Sequence, residues 1–132
     1  MRQIVTTGLI IAALALSVMA QDWYHEREGR FQGEAWRAHL FDNVRTDLEH
    51  VWSTFRASDR ERARIDRTKE ELYKMQVDLD QGRFDNGLLN DVIDSLRKSS
   101  NDDRLAPRDR EVLADDLVRL KDYQRNHNHW LH

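Results

Sequence analysis

The chain has 132 residues, no cysteine, and 21 basic against 24 acidic side chains, for a formal charge of −3. Without cysteine there are no disulfides, no thiolate chemistry, no c-type haem attachment and no cysteine-based zinc site. The acidic balance argues against a nucleic-acid binder and against a polybasic membrane patch.

Residues 1–20 read as a signal peptide. Met1 and Arg2 give a short positive start, residues 4–16 form an apolar run too short to span a bilayer comfortably, and Val18 and Ala20 occupy the small-residue positions that a signal peptidase recognises. The sequence thus predicts cleavage after Ala20 and export to the periplasm or the extracellular space, with no membrane association once the leader is removed. No cysteine follows the apolar run, which excludes lipoprotein processing. Loss of Arg2 takes the charge from −3 to −4. Residues 21–132 are enough for one domain that buries roughly two thirds of its unfolded surface.

Residues 21–33, "QDWYHEREGRFQG", read as an aromatic N-terminal arm in which Gly29 and Gly33 argue against a continuous helix. Trp23, Tyr24 and Phe31 fall outside any helical stripe. Exposed together they would mark a surface for a partner; alternatively they fold over the domain and close one end of it.

A helical bundle domain is expected over residues 34–132. Trp36, Leu40, Val44, Leu48, Val51 and Phe55 recur at helical spacing and predict a first helix near 34–56, with Phe41 and Trp52 widening its apolar face. Ser58 and Glu61 in "SDRE" form a capping box for a second helix near 59–81, striped by Ile65, Thr68, Leu72, Met75 and Leu79 and stopped at Gly82. Its outer face carries Arg62 with Asp66, Arg67 with Glu71 and Glu70 with Lys74, pairs worth about 0.2–0.5 kcal/mol each. A third helix near 86–99 starts at Asp85 or Asn86, with Phe84 placed to staple onto Leu89 and with Val92, Ile93 and Leu96 on its face. Pro107 suits the first turn of a fourth helix near 107–128, faced by Leu113, Leu117 and Leu120. Short connections between such helices give an all-α fold: a small, mostly antiparallel bundle of about four helices.

Candidate chemistry is sparse. "NHNHWLH" places His127, His129 and His132 in the last six residues, and they are the metal-ligand candidates. On a continuing helix only His129 and His132 share a face, whereas zinc needs four ligands, or three and water. A packed or capping role at a helix end is the simpler reading. Asp47 and His50, three apart, make half of a carboxylate-bridged di-iron motif without its second half. "DLDQGRFDNGLL" fails as a calcium loop, with Arg83 where glycine is required and Leu89 in place of the bidentate Glu. The serines lack a nucleophile-elbow context, no glycine-rich phosphate loop is present, and the acids read as exposed helix faces. The expectation is a non-enzymatic protein with no catalytic residue and no cofactor.

"LAPRDRE" resembles the Leu-Thr-x-x-Gln segments of small periplasmic helical chaperones and metal-stress proteins over a few residues, with Ala106 in place of the threonine and Asp109 in place of the glutamine. That resemblance implies a chaperone-like or metal-stress-associated alternative. The residues themselves point to an exported binding or structural module of the bacterial envelope that engages a protein partner or itself.

Overall fold

The computed structural model describes residues 22–53 and 55–130; the leader expected at 1–20, with Leu131 and His132, lies outside the described residues. The described chain is all-α and contains no strand. Helix α1 covers residues 22–30, a 3-10 turn covers Ala35–His39, and four longer helices follow: α2 (Leu40–Ser53), α3 (Asp59–Asp80), α4 (Asn86–Ser100) and α5 (Pro107–Trp130). Two compact units divide between Trp36 and Arg37.

Among the described residues there are five α-helices, one more than the four expected. The additional one, α1, lies in the segment read as a non-helical arm. Gly29 sits inside it because glycine costs a helix only about 1 kcal/mol relative to alanine. The break comes at Gly33, whose φ of +67° lies in the left-handed region.

In the unit that begins at Arg37, α2 packs on α3, α3 on α4 and α4 on α5, and α2 closes the ring against α5. The core is built from the stripes read in the sequence. Leu40, Phe41, Val44, Leu48 and Val51 of α2 meet Leu72 and Met75 of α3, Leu89, Val92 and Leu96 of α4, and Leu113, Leu120 and Tyr123 of α5 in a buried interior. Each such side chain contributes about 1.5–3 kcal/mol by leaving water.

The helix ends follow from local chemistry. The Glu61 backbone N–H donates to Ser58 Oγ while Ser58 N–H donates to Glu61 Oε1, completing the capping box of α3. At the other end Gly82 takes a φ of +69°. Arg83 N–H then reaches Asp78 O at 2.7 Å and Gly82 N–H reaches Leu79 O at 3.0 Å, the two bonds of a Schellman stop. Asp85 caps α4 by accepting from Leu88 N–H, and Pro107 opens α5.

Three local expectations are corrected. The first bundle helix does not run from 34 to 56: its start is a 3-10 turn, and α2 proper ends at Ser53. The start is held from across the bundle by Gln76 of α3, whose Oε1 accepts from Asp42 N–H at 3.2 Å and whose Nε2 donates to Ala38 O at 2.8 Å. Phe55 lies beyond the helix, edge-on to Trp52 with centroids 5.1 Å apart. On the surface, Arg62 pairs with Asp59 at 3.8 Å rather than with Asp66, which faces Lys69, while Arg67 meets Glu71 at 3.6 Å as expected. Finally, not all acids lie on exposed faces, since Asp47, Asp109 and Asp116 are buried between the helices.

Candidate functional site

Helix α1 explains the grouping of the arm's aromatic residues. At about 100° per residue, Trp23, Arg27 and Arg30 share one side, and Tyr24, Arg27 and Phe31 overlap it. Trp23 and Tyr24 meet edge-to-face at 5.1 Å, the Arg27 guanidinium lies 4.7 Å from the Phe31 centroid, and Arg30 stands 6.0 Å from both Trp23 and Phe31. Phe31 also touches Trp36 at 5.8 Å, and the Trp36 indole N–H donates to Gly33 O, securing the turn that ends the unit. The four aromatic rings are half-buried, and Arg27 is buried. Trp23, Tyr24 and Phe31 are thus brought together as one patch. Arg27 and Arg30 complete it, and nothing in their spacing signals this until the segment is helical.

Of the C-terminal histidines, His132 lies outside the described residues, and His127 and His129 do not come together. Helix α5 reaches Trp130, but Asn126 leaves helical geometry at φ −124° and ψ 17°, which changes the direction of the residues that follow. His127 lies flat against Phe84, and its Nδ1 is 3.3 Å from Gln124 O. His129 is exposed. Trp130 packs edge-on to Tyr123 and beneath the Arg37 guanidinium. Phe84 therefore meets the end of α5, with its ring on His127 and its edge toward Tyr123.

Between α2 and α5, Asp47 and Asp109 act on His50. Burial lowers the His50 pKa from its ordinary value, and the two carboxylates oppose that shift. Among the described residues no three His, Cys, Asp or Glu side chains gather as a metal site requires.

Helix α3 is flanked by surface clefts. One, of about 410 Å³, opens where α2 ends and α3 begins; Trp52, Phe55 and Ile65 give it apolar walls, and Glu49, Arg56, Arg62, Asp66 and Lys69 surround them. The indole N–H of Trp52 is buried there with no acceptor. A second cleft, of about 470 Å³, is lined by Arg60, Glu61, Ala63, Arg64, Arg67 and Lys98. A third shares Arg64, Arg67 and Lys98 and adds Thr68, Glu71, Asp91, Asp94 and Ser95. Arg104 binds Glu61 and holds its carboxyl down to about 2, whereas burial, followed by the Asp91 charge, raises Glu71. No protein-family model matches this chain, and no curated protein or solved structure matches it either.

Proposed function

We propose that the chain is a non-enzymatic, exported binding module of the bacterial envelope that takes a protein partner through the patch on residues 23–36. The observation that carries this reading is the clustering of Trp23, Tyr24, Phe31 and Trp36 with Arg27 and Arg30, all four rings retaining exposed surface. Tryptophan, tyrosine and arginine are the residue types most enriched where binding energy concentrates, because each offers a large apolar face with a polar edge. Export rests on the leader-like pattern of residues 1–20.

The chaperone-like alternative calls for a broad apolar surface for unfolded clients. The large hydrophobic side chains left exposed among the described residues are Tyr73 and Val118. Capture from envelope extract tests the two readings. The mature chain is expected to retain a discrete partner that is lost from a variant lacking residues 21–33 and from Trp23→Ala/Phe31→Ala. Equal capture by all three removes the patch from the mechanism, and suppression of aggregation of unrelated clients by all three supports the chaperone instead.

A further inference from the structure

We infer that the cleft between the first half of α3 and the last turn of α4 is a binding site for a phosphate-bearing anion. Its walls carry four cations, Arg60, Arg64, Arg67 and Lys98, and one acid, Glu61. Elsewhere on the bundle the surface arginines are mostly committed: Arg45 to Asp42, Arg83 to Asp78, Arg97 to Asp94, Arg110 to Asp103 and Arg119 to Asp115. Within the cleft the side chains of Arg60, Arg64 and Lys98 have no ion-pair or hydrogen-bond partner among the described residues. The Nε–H of Arg64 is moreover buried without an acceptor. Glu61, and Asp102 whose carboxyl feels the Arg64 charge, are both bound by Arg104. Arg67 pairs with Glu71 at 3.6 Å, so the charge left without an ion pair in the cleft is that of Arg60, Arg64 and Lys98, gathered at one place on a chain of net charge −3.

Like charges held side by side repel, and a bound anion relieves that repulsion while satisfying the open donors. The ligand class follows from the donors. Arg60, Arg64 and Arg67 stand at successive helical turns, a stripe about 10 Å long, and guanidinium forks match phosphate oxygens two at a time. Lys98 adds a compact charge from the opposite wall. The stripe accommodates a phosphodiester or two linked phosphates. Its far limit is set by Glu71, Asp91 and Asp94 in the adjoining cleft, which would repel an anion extending past Arg67. The matching chemistry occurs in soluble diphosphates and in anionic lipid headgroups alike.

Titration calorimetry of the mature protein with inorganic pyrophosphate at low salt, together with co-sedimentation on phosphatidylglycerol vesicles, tests the site and distinguishes the two sources. Saturable one-to-one binding of pyrophosphate, or retention on phosphatidylglycerol but not phosphatidylcholine vesicles, is expected. Either should weaken at least tenfold in Arg60→Ala/Lys98→Gln, whose positions are exposed, and stay unchanged in Arg125→Glu, an equally exposed cation outside the cleft. Binding of pyrophosphate identifies a soluble ligand, and binding of vesicles alone identifies a headgroup. Equal weakening in Arg125→Glu, or no binding of either probe, overturns the assignment.

Discussion

The imidazole of His127 is stacked on the ring of Phe84, with centroids 3.7 Å apart and planes within 3°. This contact joins the end of α5 to the connection between α3 and α4, and Tyr123 braces both rings from the side at 5.8 and 6.1 Å. Stacked ring pairs contribute roughly 0.5–1.5 kcal/mol beyond the area they bury. A double-mutant cycle of Phe84→Ala and His127→Ala, read by urea denaturation, should return a coupling in that range. Additive single effects would mean that the stack contributes nothing.

The same stack bears on the C-terminal histidines. A metal recruiting His127 would have to compete with the position that Phe84 and the Gln124 carbonyl give its ring. Calorimetry with zinc should therefore give equal, weak heats for the parent and for a variant in which His127, His129 and His132 are all alanine. Tight, stoichiometric binding by the parent alone would show instead that the tail is a ligand set.

His50 makes stability depend on mild acidity. Burial lowers its pKa from 6.5, so the unfolded chain takes up a proton more readily than the folded one. Its contribution is complete above the unfolded value and is lost as pH falls below 6.5 toward the folded one. Thermal melts between about pH 7.5 and 5.5 should show a smaller fall in Tm for His50→Gln than for the parent. Parallel falls would remove His50 from the explanation.

Gln76 should be costly to lose. It is 5% exposed and bonds Asp42 N–H, Ala38 O and Asp80 Oδ1. Gln76→Ala leaves a helix-start donor and a turn carbonyl without that partner, for a loss of about 1–3 kcal/mol. Gln76→Glu retains an acceptor but turns a second one toward Ala38 O and Asp80, and should be no better near neutral pH. Urea midpoints of the two variants equal to that of the parent would contradict this role.

How much of this was legible in the sequence depends on distance along the chain. Ser58, Glu61, Gly82 and Pro107 act on residues a few positions away, so α3, α4 and α5 could be read closely, as could the stripes from Leu72 to Leu79 and from Leu89 to Leu96. Gln76 acts on residues 34 and 38 positions away, and nothing beside it in the sequence signals that role. Asp47 and Asp116 resemble surface acids until α2 and α5 are placed against each other, when both become fully buried. The cationic cleft is hidden in a similar way: Arg60, Arg64 and Arg67 are interleaved with Glu61 and Asp66 along the chain, and Lys98 joins them only through the packing of α4 on α3.

The Glu61 carboxylate has two partners that it meets over very different separations. It accepts from Ser58 N–H across three residues, whereas its link to Arg104 spans 43. The first can form as soon as the α3 segment coils; the second must wait until α4 and the start of α5 have been positioned, because closing a long loop carries an entropic cost that grows with its length. One carboxylate thus takes part in an early local event and in a late global one. Removing Arg104 while keeping Glu61 should leave the folding rate nearly unchanged and accelerate unfolding, whereas removing Ser58 should act on the folding rate if α3 belongs to the nucleus. The pair converts a helix start into a latch whose release is governed by how long the native state lasts rather than by how quickly it is reached.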